Sequence, residues 1–383
     1  MLESSNMQKN LLNTTLIAAA IFVAQPAFAQ ETPKEAPPPV QDPLQPVPWK
    51  VKRVEDTAPD TVSDPLSARE LNKIENAPHK KGTLSFTLEN DVFSGNDDGY
   101  TNGFRASWTT AADKMPFLLA PIAKSIPMFP VNGDKRVSYG FGQSMFTPND
   151  IEAYTLQPND RPYAGWLYGS VGLVSDTGTQ FDTLELTLGV VGPASLAKQT
   201  QRAVHEYITD SPEPHGWYHQ LENEPGIILS YDRKWRSFYQ FSALGHGVDF
   251  TPGVGASVGN VMTDAKMGAT VRFGRNLPSD YGPPRVRPAL SGSDFFIPTK
   301  GFSWYVFAGA EGRYVARNIF LDGNTYQDSH SVDKEHWVGD VQTGIALTFQ
   351  EWRVAYTHVF RTREYETQKD AESFGAFTVS TQF

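Results

Sequence analysis

The stretch TLSFTLEN, Thr83–Asn90, alternates strictly between polar and apolar side chains. Successive side chains of an extended chain point to opposite sides, so the apolar residues share one face, namely Leu84, Phe86 and Leu88. Alternation of this kind predicts a β-strand that is buried on one face only. The side chain of Asn90, the last residue of the stretch, points to the same side as these apolar residues. An amide group therefore lies on the apolar face at the end of the strand.

The same alternation recurs to the end of the chain, in segments that are often ten or more residues long and are separated by turn signals. Including Thr83–Asn90, about 12 segments show it. The others are YTNGFRASW, RVSYGFGQSMF, YAGWLYGSVGLV, QFDTLELTLGVV, GIILSYDRKWR, FYQFSALGHGVDF, KMGATVRFG, FSWYVFAGAEGRYVA, VGDVQTGIALTF, EWRVAYTHVF and FGAFTVSTQF. These segments are longer than ordinary strands, which run about five or six residues.

One face of these strands is rich in aromatic residues, and the other carries Ser, Thr, Gly, Gln and a few charges such as Glu185 and Arg353. An apolar outside and a polar inside are typical of an outer-membrane barrel. The chain ends on Phe383, as the last strands of such barrels do. The sequence therefore predicts an all-β fold, a 12-stranded antiparallel transmembrane β-barrel. A soluble β-sandwich or a lipocalin-like barrel is the alternative.

The N-terminal part has a different composition. An apolar run, residues 11–24, precedes the A-x-A sequence at residues 27–29, so residues 1–29 are predicted to be a signal peptide. Residues 30–81 are rich in Pro and charge and cannot bury a core, which predicts a disordered periplasmic arm. Residues 82–383 are left for the barrel.

The overall composition excludes several classes of protein. The 43 acidic and 33 basic residues give a formal charge of −10, which is unlike a nucleic-acid binder. The chain has no Cys, so it forms no disulfide, thiolate metal site or Cys nucleophile.

One segment, GPASLAKQTQRAVHEYI from Gly192 to Ile208, is predicted to be a helix with Pro193 at its first position. Its apolar side would carry Leu196, Val204 and Ile208. Gln201 and His205 are four residues apart and share a face. Strand counting places this helix and the polar connections 89–100 and 147–162 at one end of the barrel, facing the outer leaflet and the medium. The connections 111–135 and 276–300 lie at the opposite end and are long for periplasmic turns.

The polar residues at the first end suggest a reaction. Asn90, Asp91 and Thr101 offer hard oxygen ligands that suit Ca²⁺. His205 can serve as a general base near neutral pH, and Gln201 can orient the imidazole ring of His205 or a water molecule. Together they describe ester hydrolysis by a His-activated water. A solvated turn and a surface histidine are the alternative.

Two other kinds of site were considered. His215 and His219 are four residues apart, with Glu222 and Glu224 nearby, which is a weak signal for zinc. The sequence contains no G-x-S-x-G motif, so a Ser nucleophile elbow is not supported.

From Gly82 to Phe383 the chain resembles the outer-membrane lipid A 3′-O-deacylase (LpxR-like) family. The resemblance is carried by Asn90-Asp91, by Tyr100-Thr101 followed by Gly103, and by three longer segments in family order. These are NDRPYAGWLYGS at residues 159–170, GVVGP running into QRAVH at residues 189–205, and WYHQLEN at residues 217–223.

The resemblance implies a 12-stranded barrel of Gram-negative bacteria that removes the 3′-linked acyloxyacyl group of lipid A in a Ca²⁺-dependent reaction. It implies that His205 activates water and that Gln201 supports it. It also implies a cation and oxyanion site of Asn90, Asp91 and Thr101, with Asp210 in place of a family glutamate. Arg161 is the candidate basic residue for binding the substrate.

The expected function is that of a lipid A deacylase of the outer membrane whose active site faces the outer leaflet, with lipopolysaccharide as its partner. An outer-membrane phospholipase is the first alternative. A non-catalytic barrel, such as a channel or an anchor, is the second.

Overall fold

The protein is described from a computed structural model. The structure describes residues 81–91, 102–114, 121, 129–130, 133–209, 212–277, 280–283, 285–286, 293–298 and 301–383. The predicted signal peptide and all but the last residue of the predicted arm lie outside the described residues, as do Thr101 and Asp210.

The described residues form a single antiparallel sheet of 13 strands, in which consecutive strands pair except for β6 and β7. The strands are β1 Thr83–Asn90, β2 Asn102–Thr109, β3 Asp134–Phe146, β4 Ala164–Asp176, β5 Gln180–Val191, β6 Glu224–Trp235, β7 Tyr239–Ala243, β8 His246–Gly259, β9 Met262–Arg275, β10 Ser303–Asn318, β11 Trp337–Phe349, β12 Trp352–Arg361 and β13 Glu372–Gln382. β1 pairs with β13, and β6 pairs with β8 past the short β7, so 12 strands close into a barrel. The predicted fold is confirmed.

The alternation of the sequence becomes the inside and the outside of this barrel. On β1, Ser85, Thr87 and Glu89 are buried, whereas Phe86 is 54% exposed and Leu88 is 40% exposed. Polar side chains therefore point into the barrel, and apolar ones form its outer wall, as the bilayer requires.

The seventh predicted strand, residues 238–250, is not one strand. It folds into a tight hairpin between β7 and the start of β8, because Leu244 and Gly245 both adopt positive φ angles, of 54° and 77°. Two such residues in succession reverse the chain direction. The barrel strand is β8, whose second half is rich in Gly and small residues and therefore lacks a visible apolar alternation.

Several described residues of the connection between β9 and β10 lie inside the barrel. Asp280, Ser293, Asp294, Phe295 and Phe296 are all buried. Their bonds to the wall include Ser85 Oγ to the Asp294 carbonyl (2.9 Å), Val286 N to Glu89 Oε1 (2.9 Å) and Arg353 Nη1 to Asp280 Oδ2 (3.0 Å). The described residues of this connection thus fill part of the interior and are hydrogen-bonded to its wall.

The connection between β2 and β3 packs differently. Phe129 is buried against Val137 and Leu173, and Ser175 Oγ donates to the carbonyl of Pro130 at 3.0 Å. The described part of this connection therefore packs against the walls of β3 and β4.

Three helical segments follow β5. A 3₁₀ turn, Pro193–Ser195, is followed by Leu196 at φ 61°, then by α1, Ala197–Val204, and by a π-helical turn, His205–Thr209. The helix therefore begins later than the sequence predicted, because the left-handed Leu196 separates Pro193 from it. Further along lie a 3₁₀ turn, Gly216–His219, and α2, Ile319–Asp322. Within the described residues, every helix is too short or too polar to cross a membrane.

Candidate active site

The helix α1 lies directly on the outer wall of the barrel. A Cβ atom added to Gly165 on β4 would come within 2.1 Å of Ser195 Oγ and 2.4 Å of Ala197 Cβ. Gln143 on β3 donates from Nε2 to the Ser195 carbonyl at 2.6 Å. A missing side chain on the wall and a small one on the helix thus allow the two surfaces to meet.

The face of the helix that meets the wall is polar. Ala197, Gln201 and His205 are buried at intervals of four residues, and their exposed fractions are 1%, 1% and 9%. The predicted apolar side is not the buried one, since Leu196 is 52% exposed. Contact with the wall selects a small residue at position 197, and the two polar side chains follow on the same face.

His205 is oriented by a backbone carbonyl. Its Nδ1 lies 2.6 Å from the carbonyl oxygen of Pro212. A carbonyl oxygen only accepts hydrogen bonds, so Nδ1 carries the proton, and in the neutral ring Nε2 keeps its lone pair. The same loop is tied to the helix a second time, because Arg202 pairs with Glu213 at 3.4 Å. His205 is therefore held in the tautomer in which Nε2 can accept a proton.

Gln201 bonds to a tryptophan rather than to the imidazole. Trp217 donates from Nε1 to Gln201 Oε1 at 2.6 Å, and both side chains are fully buried. Gln201 Nε2 is buried and has no hydrogen-bond partner among the described residues. Gln201 and His205 thus share a face, as predicted, but Gln201 does not hold the ring directly.

Asn90 and Asp91 end β1 on the same stretch of wall. Asn90 stands beside Asn102 on β2, which stands beside Met145 on β3. Met145 packs in one cluster with Ala197 of the helix. Strands are about 4.8 Å apart, so Asn90 lies roughly 10 Å across the wall from the residue under the helix. The register therefore brings the end of β1 close to the face that carries His205.

The donor chemistry at this place fits a hard cation. Asp91 is 2% exposed, and with Asn90 it supplies carboxylate and amide oxygens, the ligands that Ca²⁺ prefers. Among the described residues, no three His, Cys, Asp or Glu side chains form a group that could hold a metal. The further ligands expected from the sequence, Thr101 and Asp210, lie outside the described residues.

The two histidines considered for zinc face other partners. The His215 ring stacks on Tyr154 with 4.2 Å between the ring centroids. His219 Nε2 lies 3.2 Å from the Tyr154 carbonyl oxygen. Both rings thus find their partner in Tyr154, which belongs to the connection between β3 and β4.

Arg161 sits at the mouth of the barrel, not on its outer wall. Its guanidinium is 1% exposed and lies 2.7 Å from Glu364 and 3.5 Å from Glu372. Burial raises the pKa of Glu364, but the guanidinium groups of Arg361 and Arg161 outweigh it, so this pKa lies below its ordinary value. These contacts give Arg161 a place in the ion pairs that close the interior, and contact with a substrate phosphate stays a prediction.

Two groups of the site were missed by reading the sequence. The carbonyl of Pro212 carries no signal, because every residue has one. Trp217 opens the WYHQLEN segment, and its place in that segment was the only pointer to it.

Comparisons with known proteins agree with this architecture. The model of the family described as outer membrane protein LpxR matches residues 16–383. The structure of LpxR from Salmonella typhimurium superposes with a TM-score of 0.65 at 20% identity, covering 79% of this chain and all of that one. No curated protein sequence matches the chain.

Other barrels superpose less well. The β domain of the Bordetella autotransporter BrkA gives a TM-score of 0.38 at 10% identity, covering 79% of this chain and 100% of that one. The translocator domain of NalP from Neisseria meningitidis gives 0.35 at 10% identity, with 82% and 93% covered. At these scores they add nothing to the assignment. The family match spans nearly the whole chain, and the fold agrees with it, so the protein belongs to the LpxR family of outer membrane proteins.

Proposed function

We propose that this protein is a Ca²⁺-dependent esterase that removes the 3′-linked acyloxyacyl group of lipid A in the outer leaflet. The observation that carries the proposal is His205, which is buried against the outer wall with Nδ1 bound to the Pro212 carbonyl. A base in that position, on the lipid-facing side of the barrel, suits a substrate whose ester lies in the membrane.

In this reaction His205 Nε2 takes a proton from a water, and the hydroxide oxygen bonds to the ester carbonyl carbon. The carbonyl oxygen becomes negatively charged. When the bond between that carbon and the sugar oxygen breaks, the Nε2 proton passes to the leaving sugar oxygen, and the fatty acid departs. Nδ1 keeps its bond to Pro212 throughout, so the imidazolium formed on the way is stabilised by a carbonyl dipole.

Asn90 and Asp91, with Thr101 and Asp210, are the residues that we propose to hold Ca²⁺. When bound, the cation would supply positive charge to the ester carbonyl. The Asp91 carboxylate would provide the negative charge that binds the cation.

Side chains inside the barrel argue against the channel alternative. Asp280 and Asp294, from the connection between β9 and β10, are buried and pair with Arg353 and Arg105 of the wall. These ion pairs obstruct the path that a solute would take through the described part of the barrel. The position of His205 on the outer wall would serve a phospholipase equally well, so the substrate has to be tested directly.

The test is expression in a Gram-negative bacterium with hexa-acylated lipid A, followed by mass spectrometry of the lipid A. We expect the wild type to remove one acyloxyacyl unit and His205→Ala to leave lipid A intact, because it has lost the base. Chelation of Ca²⁺ in isolated membranes is expected to stop the reaction.

Glycerophospholipids are analysed in the same extracts. Release of lysophospholipid with unchanged lipid A would replace the deacylase by the phospholipase. Unchanged lipids of both kinds, from a barrel shown to be folded by its heat-dependent mobility on gels, would remove the enzymatic proposal.

A further inference from the structure

We propose that Trp217 is a positioning residue, whose indole fixes the amide of Gln201 so that the amide nitrogen donates a hydrogen bond to the ester carbonyl oxygen. This inference rests on the proposed function, because it concerns the same site. In this proposal Trp217 positions Gln201, and Gln201 contacts the substrate instead of His205.

The identity of the amide atoms follows from the partner. An indole N–H only donates, so the Gln201 atom 2.6 Å from Trp217 Nε1 is the oxygen. The other terminal atom of the amide is then the NH₂ group. The tryptophan thus settles an orientation that an amide alone leaves open.

The amide nitrogen has no acceptor within the described residues, although it is buried. Buried donors in native proteins are nearly always paired, and an unpaired one calls for an explanation. Gln201 lies one turn before His205 on the face that meets the wall. A donor that is buried, fixed and unpaired beside the base is suited to a ligand group that arrives there.

The ester carbonyl oxygen is that group. It gains negative charge when hydroxide adds to the carbonyl carbon, and a preset N–H donor stabilises that charge. With the amide turned over, its oxygen would face the developing charge and repel it. The bond from Trp217 prevents this turn, and therefore it acts on the reaction through Gln201.

Trp217 is itself held in place. Its ring packs on Tyr163 with 5.1 Å between the centroids, in a cluster with Met145 and Ala197. A Cβ atom on the preceding Gly216 would lie 2.3 Å from the Tyr163 ring, which shows how closely the chain passes there. The indole cannot shift without moving the wall and the helix.

Two variants separate the two parts of the inference. Trp217→Phe keeps an aromatic ring but removes the N–H, and we expect kcat on hexa-acylated lipid A in detergent micelles to fall about tenfold with KM unchanged. Gln201→Glu keeps an oxygen for the indole but removes the donor, and we expect kcat to fall about a hundredfold. The double variant should be as slow as Gln201→Glu alone, since the amide whose orientation Trp217 fixes is gone.

Tyr163→Phe is the matched control. It removes a hydrogen bond from the same cluster, to the Ile151 carbonyl at 3.2 Å, and leaves the amide and the indole in place. We expect its kcat to stay within twofold of the wild type. Wild-type kcat in folded Trp217→Phe or in Gln201→Glu, or multiplicative losses in the double variant, would overturn the proposal. If Trp217→Phe does not fold, Gln201→Glu decides.

A measurement that does not depend on enzymatic activity tests the positioning role separately from the proposed function. In ¹⁵N-labelled barrel the indole signal of Trp217, assigned with Trp217→Phe or by backbone connectivity, is expected to move upfield in Gln201→Ala. An inactive wild type that shows this shift would refute the esterase and retain the hydrogen bond. An indole signal that does not move would refute the positioning role.

Discussion

A single carbonyl oxygen, that of Pro212, decides which nitrogen of His205 is free to accept a proton. A carboxylate bonded to this nitrogen would stabilise the imidazolium more strongly, but part of its charge would lose its hydration next to the buried ring, at a cost in free energy. The carbonyl orients the ring without that cost. The base of the proposed site thus depends on the backbone of a loop, which tolerates a change of side chain at position 212.

At the same scale, Asp91 supplies the charge that we propose for cation binding. Asp91→Asn keeps the shape and removes the charge, so we expect the Ca²⁺ concentration for half-maximal activity to rise roughly tenfold or more. The measurement is deacylation against Ca²⁺ concentration. Asp97→Asn with Asp98→Asn changes two charges in the same connection and is expected to leave the Ca²⁺ requirement unchanged. Equal effects of the two substitutions would argue for a general influence of charge.

At the scale of elements, the helix α1 and strand β4 form one unit. Gly192 has a φ of 93°, which residues with a side chain rarely adopt, and its N–H donates to the Gly165 carbonyl at 3.0 Å. The chain therefore turns directly from β5 onto the wall. A second connection supports the unit from the other side, since Asn324 accepts from Glu222 N at 2.9 Å and donates to the Glu222 carbonyl at 3.0 Å.

The close contact gives a prediction for Gly165. In Gly165→Ala the new Cβ would overlap Ser195 and Ala197, so the helix has to move outward and carry His205 and Gln201 with it. We expect deacylation to fall at least tenfold, because displacements of about 1 Å are costly in catalysis, while the barrel still folds. Gly169→Ala on the same strand is the control, since its Cβ would meet only one atom, at 3.8 Å. A fully active Gly165→Ala would mean that the helix position does not matter.

At the scale of the whole molecule, paired charges fill much of the polar interior of the barrel among the described residues. Arg353 and Asp280 are both completely buried and lie 3.0 Å apart, and Asp280 also pairs with Arg272. Other ion pairs, among them Arg105 with Glu185 at 2.8 Å, fill the polar interior in the same way. Buried pairs of this kind contribute little net stability, but removal of one partner leaves a buried charge.

Arg353→Ala tests this arrangement. The loss of its guanidinium leaves Asp280 with one cation in place of two, and we expect the free energy of unfolding to fall by about 3 kcal/mol. The measurement is denaturant-induced unfolding of the barrel in detergent. Lys81→Ala removes an exposed pair with Glu351, 3.0 Å long, and is expected to have no measurable effect because surface pairs contribute little. Similar losses for both variants would show that the interior pair is not special.

The sequence by itself determined the barrel. Alternation with a period of two, repeated over long segments, predicts half-buried strands, and the aromatic residues on one face with polar ones on the other predict an apolar exterior. The pattern located strands such as β1 and β5 to within a residue or two. It did not determine β8, because Gly and small residues carry no alternation, nor the hairpin at Leu244 and Gly245, whose positive φ angles were not read from the sequence. Gln201 and His205 were found on one helix face because a helical spacing of four is local.

Only the tertiary structure decided what those residues face. The tautomer of His205 depends on Pro212, the amide of Gln201 on Trp217, and the position of Arg161 on Glu364 and Glu372, and each of these partners comes from another turn or another strand. The burial of Asp280 and Asp294 inside the barrel was likewise not predicted, since the connection that carries them lacks a periodic pattern. The period of the apolar residues predicts which side of a strand faces lipid. A hydrogen bond between residues distant in sequence produces no periodic pattern, so only the tertiary structure reveals it.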